Sequence, residues 1–251
     1  MNLIPIYFRR RLWILRHLWL SELTLTLLLP VGIYVSIAAG LNSLVGVSQD
    51  GIPFRDWVVP GLVFVIALIA AYFPVFVEIF ENRKIHPFLE SVAASPNSSL
   101  TIVTAFTVSL LPEVIVKSLA AGVIVQLLGG SILRIFPFFG LMFFVLILGA
   151  LVINLAFTVT ILTSSSVLNL FVAFLISFFV VFASGWIVPI GSFPPSLSSF
   201  FSFLPTAQLL EGGRKLLFHN QVTFLTWLVP LGVSLVWIIL NSILFRKVNT
   251  V

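Results

Sequence analysis

ENRKIHPFLESVAASPNS, residues 81–98, is the stretch on which the reading of the fold turns. It is a polar island between two long apolar runs, and it gathers Glu81, Arg83, Lys84, His86 and Glu90 in a chain where charge is scarce. Pro87 suits the first turn of a short helix, where its missing N–H has no partner to lose, and Pro96 with Asn97 and Ser98 closes that helix. A helix over 88–94 puts Leu89, Val92 and Ala93 on one face and Glu90 and Ser91 on others. Two readings fit the spacing: a helix that docks on a partner outside the bilayer, or a solvated hairpin between two spans.

The flanks set the class. Of 251 residues 60 % are hydrophobic and 8 % charged, and the mean hydropathy is +1.20. Soluble chains are roughly a quarter charged, so the expectation is an all-α, multi-pass integral membrane protein. At about 20 residues per span, six spans fit with short loops. The unbroken apolar runs exclude a barrel, which would show alternating segments of about ten residues. With no cysteine there is no disulfide or thiol chemistry. The net charge of +5 sits mostly near span ends, so it reports orientation rather than nucleic-acid binding.

Residues 4–19 do not read as a cleavable signal, because four arginines interrupt the apolar residues. On a helical wheel Arg9, Arg10, Arg16 and His17 fall on one side. Tyr7, Phe8, Leu12, Ile14, Leu15, Leu18 and Trp19 fall on the other, with Arg11 and Trp13 out of pattern. This is the pattern of a basic amphipathic helix lying in the membrane interface; the plainer alternative is a positively charged flank to the first span. The spans are expected at 22–44, from Pro60-Gly61 to about 80, at 100–128, 135–162, 167–188 and 224–245. The remaining stretch, 189–223, is too apolar for an ordinary loop and is broken by Pro189, Pro194, Pro195 and Pro205. Neither half is long enough to span, so two short re-entrant or interfacial helices are expected, broken at Pro205. Basic residues near span ends number eight on the side of the N-terminus and four on the other, which puts both termini and 81–98 in the cytoplasm.

No phosphate-binding loop appears: Gly212-Gly213-Arg214-Lys215 has the wrong spacing. His17, His86 and His219 are scattered, which argues against a metal site. Glu113 and Lys117 stand four apart in the third span, on one helix face. They read either as a neutralised pair that orients the span or as a proton or substrate site. Pro112 beside them frees a carbonyl that could accept from Lys117. Glu78 falls one turn from the end of the second span and reads as part of the region around 81–98. Most of the 26 phenylalanines are expected against lipid or neighbouring helices. Phe193, Phe200, Phe201 and Phe203 are better placed to close a pore mouth by excluding water, with Pro205 and Gly212-Gly213 as bends.

Several segments together resemble the ABC-2 type permeases, the membrane subunits of one class of ATP-driven exporters. Trp57 through Pro60-Gly61 resembles that family's Pro-Gly motif at the second span. Glu81 through Arg83 and Glu90 to Ser95-Pro96 resembles its acidic-basic loop. Gly185 to Pro189, Pro194-Pro195, Leu204-Pro205 and Glu211 to Arg214 resemble the segment before its last span. The chain is nearer the small-molecule, nodulation-factor and daunorubicin branch than the polysaccharide branch. The Arg-Tyr and Leu-Gly-Trp pattern of the latter is missing before the first span.

The resemblance implies one transmembrane domain over 1–251: an interfacial helix, then six spans, in a bacterial-type inner membrane. It implies that 81–98 is the coupling helix, with Phe88, Leu89 and Val92 on a cytoplasmic ATPase and Arg83 and Glu90 at the rim. The partners would be two ATPase subunits carrying ATP and Mg, and a second permease copy or a paralogue. This chain would hold no cofactor and would not be an enzyme. The cargo would be an amphipathic drug, lipid or lipid-linked glycan. Two rival readings are an ion-coupled secondary transporter using Glu113 and Lys117, and a non-transporting membrane scaffold. Six spans without a visible inverted repeat count against the first.

Overall fold

The computed structural model describes residues 3–41, 51–81, 96–129 and 135–249. Among these every regular element is helical. In chain order they are α1 (Leu3–His17), α2 (Trp19–Ile33), α3 (Phe54–Val75), α4 (Ser99–Gly129), α5 (Ile135–Leu162), α6 (Ser166–Ala183), α7 (Pro195–Ser202), α8 (Pro205–His219) and α9 (Leu225–Asn249). Six helices are long and apolar enough to cross a membrane: α2 with the turn that follows it, α3, α4, α5, α6 and α9. The fold is that of an all-α, multi-pass membrane protein.

Prolines shape the spans. Pro30 in α2 and Pro74 in α3 are each followed by a π turn, Tyr34–Ala39 and Phe76–Glu81. Proline removes one backbone donor and crowds the preceding turn, and a wider turn absorbs the mismatch. α3 starts at Phe54 with Pro53 as its cap, so Pro60 and Gly61 lie nearly two turns inside it and do not open the span as expected. α6 ends at Ala183, five residues short of the expected end, because Gly185 adopts a positive φ of 74° and turns the chain back. The 189–223 segment is broken where expected. After a short 3-10 turn at Ile190–Ser192, α7 and α8 each open on a proline, and at 8 and 15 residues neither spans.

α3, α4 and α5 pack against one another, and α8 and α9 pack on α5. Phe64, Phe144, Phe157 and Trp186 are fully buried there. Where lipid gives little drive for helix association, polar cross-links help hold the bundle. Asn241 of α9 donates to the Asn154 side chain and carbonyl of α5 at 3.1 and 2.8 Å. Tyr72 of α3 donates to Asn169 of α6 at 2.9 Å, and Asn169 donates to Thr163 at 2.8 Å. α2 and α6 are peripheral: Pro30 is the buried residue of α2, and α6 buries Asn169, Ala173 and Ala183.

α1 departs from the expected wheel. Its buried residues are Leu3, Tyr7 and Arg11, one turn apart each time. Phe8, Leu12 and Trp13 face outward. Arg11, out of pattern on the wheel, is the residue that anchors the helix.

Candidate functional site

The first three spans carry Glu22, Asp56, Glu78 and Glu113 against Arg55 and Lys117, and Arg55 lies 3.9 Å from Asp56. The other three acids and one base leave two charges to be balanced, and α1 supplies them. The Arg11 guanidinium donates through Nε to Glu113 Oε2 at 2.6 Å and through a terminal nitrogen to Glu113 Oε1 at 3.0 Å. Its other terminal nitrogen donates to Glu78 Oε1 at 3.0 Å. Arg10 stands 3.6 Å from Glu78 Oε2. On the other side Lys117 donates to Glu113 Oε1 at 2.7 Å and lies 2.6 Å from Glu22 Oε2. The chain Arg10–Glu78–Arg11–Glu113–Lys117–Glu22 is thus three cations and three anions in alternation. It ties together α1, α2, the π turn after α3, and α4.

Local structure sets each position. The π turn carries Glu78 at the end of α3. The four-residue spacing puts Glu113 and Lys117 on one face of α4. Glu22 lies in the first turn of α2, where the helix dipole favours an acid. Arg11, Glu78 and Glu113 are buried, their side chains no more than 7 % exposed, while Lys117 and Glu22 are nearly a fifth exposed. Burial works against the Arg11 charge, but the hydrogen bond and charge of Glu113, with Glu78 and Glu22, raise its pKa overall. Burial pushes the Tyr7 hydroxyl up to about 12; Arg10 opposes this and Glu78 adds to it. The sequence-predicted pair is therefore part of a longer chain. Lys117 binds the carboxylates of Glu113 and Glu22, rather than a carbonyl freed by Pro112.

Two cavities meet at this chain. One of about 500 Å³ lies between α1, α2 and α4, and one of about 250 Å³ lies between α2, α3 and α4. Glu22, Thr26 and Lys117 line both. The Glu22–Lys117 bridge is their common wall.

The other end of α3, roughly 30 Å from Glu78 at 1.5 Å per residue, holds a second polar centre. After α6 the tripeptide Ser184-Gly185-Trp186 folds back into the core, where Trp186 meets Phe64 edge-on at 5.5 Å. Arg214 of α8 donates to the carbonyls of Gly185 and Trp186 at 2.9 and 3.3 Å. Its guanidinium also lies 3.5 Å over the Trp57 ring. Gly61 leaves room for this segment, since a Cβ there would overlap the Trp186 carbonyl. Gly212 and Gly213 are not bends: they lie inside α8, with Phe144 and Leu141 of α5 where their side chains would be. A cavity of about 350 Å³ beside Trp57 and Arg214 is bordered by Glu211, Lys215 and His219.

Of the expected gate residues, Phe200 and Phe203 are exposed on the isolated chain. Phe201 packs edge-on against Phe193 at 5.2 Å and Phe179 at 6.1 Å. Pro205 starts α8. Arg83, Phe88, Leu89, Glu90 and Val92 lie outside the described residues. Sequence reasoning missed Arg10, Arg11, Glu22 and Arg214. The excess of acids in the first three spans was the signal for the first two.

Comparison of the chain with known family models and with curated proteins finds no match. The fold and the site define a class: an all-α membrane protein with six helices able to span, a neutral ion chain at one end and a proline-broken pair of short helices at the other.

Proposed function

We propose that the chain is the membrane subunit of an ABC-2 type exporter that moves an amphipathic cargo with a separate ATPase. One observation carries the reading, the order of elements. A short helix precedes six candidate spans, a polar segment joins the second span to the third, and a proline-broken pair of short helices precedes the sixth. The segment 81–98 leads from the last turn of α3 to the first residues of α4. A push on it from an ATPase pair closing on ATP would load Glu78 and Glu113 together, and through Arg11 would reach α1. Two copies, or this chain and a paralogue, would enclose the pathway.

The test is reconstitution with the ATPase that co-purifies from native membranes. ATP-driven transport of an amphiphile is expected, and Leu89→Asp with Val92→Asp should leave ATP hydrolysis running without transport. Normal transport by that variant removes the coupling role. Transport that survives ATP depletion and collapses with the proton gradient replaces the exporter with an ion-coupled carrier, and a partner ATPase indifferent to every amphiphile leaves a scaffold.

A further inference from the structure

The 500 Å³ cavity between α1, α2 and α4 combines an apolar wall with an ionic floor. Phe8, Leu12, Leu15, Trp19, Leu23 and Val116 form the wall, and Leu12, Trp19, Leu23 and Val116 are exposed at its lip. The floor is Glu22 and Lys117, with Arg11 and Glu113 behind them. The volume is within the range of about 300–1,000 Å³ usual for ligand sites, as is the mix of apolar lining with a few convergent polar groups.

The chemistry of the floor narrows the ligand. Glu22 Oε2 is shielded and held by the Lys117 ammonium at 2.6 Å, while the side chain keeps nearly a fifth of its surface open. A carboxylate paired at one oxygen still has acceptor capacity on its open side for an N–H donor. Lys117 contacts two carboxylates, and an ammonium has three N–H groups, so one remains for an acceptor. The six-residue ion chain is neutral as a whole, so a headgroup with one sign of charge would gain at one of these two groups and lose at the other. A headgroup that carries a primary ammonium beside a phosphate satisfies both. A quaternary ammonium has no N–H to give.

We propose that this cavity binds a phospholipid with a primary-amine zwitterionic headgroup, of the phosphatidylethanolamine type. The ammonium donates to Glu22, a phosphate oxygen accepts from Lys117, and an acyl chain lies along the wall from Trp19 to Leu23 and Val116. The site does not depend on the exporter reading; it would serve a carrier or a scaffold equally.

Native mass spectrometry of the delipidated full chain tests it, using detergent micelles that hold equal amounts of phosphatidylethanolamine, phosphatidylcholine and phosphatidylglycerol with the same acyl chains. The expected result is one retained phosphatidylethanolamine, preferred about tenfold over each of the others, the ratio that one added directed polar contact supports. Val116→Trp places an indole at the exposed lip without touching a charge, and should lower retention to the phosphatidylcholine level. Glu22→Gln should erase the preference between the ethanolamine and choline lipids while the chain stays monodisperse, and it decides the matter if Val116→Trp does not fold. Equal retention of the three lipids, preference for phosphatidylglycerol, no retained lipid, or a Glu22→Gln chain with unchanged preference would each overturn the proposal.

Discussion

Arg11 and Arg214 each hold one end of the bundle, by different means. Arg11 is bound by two carboxylates from two other helices and sits in a chain of alternating charges. Arg214 is bound by two backbone carbonyls and a tryptophan face. The first arrangement adds a shared counter-charge to two buried acids, each of which has one other cation beside it. The second satisfies non-helical backbone, which a membrane protein tolerates only when it is buried in protein or lines a cavity. A partner lost from the Arg11 centre leaves a full charge behind, whereas one lost from the Arg214 centre leaves dipoles.

That contrast orders the expected effects. Arg11→Met should be the most damaging, about 3–5 kcal/mol, because it removes the cation shared by two buried acids and leaves Glu78 only Arg10 at 3.6 Å and Glu113 only Lys117. Adding Glu78→Gln and Glu113→Gln should recover much of the loss, a cycle read by thermal midpoint or denaturant titration in detergent. If the triple variant is no better than the single one, the Arg11 centre is held by packing rather than charge. Gly61→Ala comes next, at about 3 kcal/mol, the upper part of the usual range for overpacking. Its added methyl meets the Trp186 backbone, which has no rotamer to escape into. Arg214→Met should cost about 2 kcal/mol, the value of charge-assisted hydrogen bonds to the two carbonyls. It should also raise the accessibility of a cysteine placed at Ser184 in this cysteine-free chain.

Two smaller effects sharpen the comparison within the Arg11 centre. Glu22→Gln should cost under about 1 kcal/mol, since the Glu22–Lys117 pair is partly exposed. Tyr7 tests the burial of α1 by pH. Its folded pKa is raised to about 12 from 10.0, so between these values the folded chain holds a proton that the unfolded chain has lost. The Tyr7 share of stability is whole below pH 10 and fades as the pH rises towards 12. Tyr7→Phe should flatten that part of the alkaline melting curve, and an unchanged curve would mean that α1 is not docked.

The six spans were legible because each is a long apolar run, and α4 and α5 fall within a residue or two of expectation. The break at Pro205 was legible because proline suits the start of a helix and not its middle. The start of α3 was not: Pro60-Gly61 looks like a helix opening, yet membrane helices accept proline, and that glycine serves a neighbour far along the chain. The fate of Arg11 had no local signal. A wheel sorts side chains by polarity and assumes that charge faces water. It fails when the partners are carboxylates from other spans, and only the excess of acids over bases in the first three spans exposes the mismatch. Arg214 was invisible for the same reason, since its acceptors are carbonyls whose exposure depends on the turn at Gly185.

The reach of the Arg11 contacts bears on how the chain is assembled. Glu78 lies 67 residues after Arg11 and Glu113 lies 102 after it. During synthesis the first helix therefore waits, without its seat, until the third span has been made. The acids emerge into a membrane that already holds their counter-charges, and Lys117 follows Glu113 by one turn. Closing so long a loop is slow compared with winding a helix. Docking of the N-terminal helix is thus among the late events of biogenesis, and a nascent chain halted before residue 113 would still carry that helix unseated.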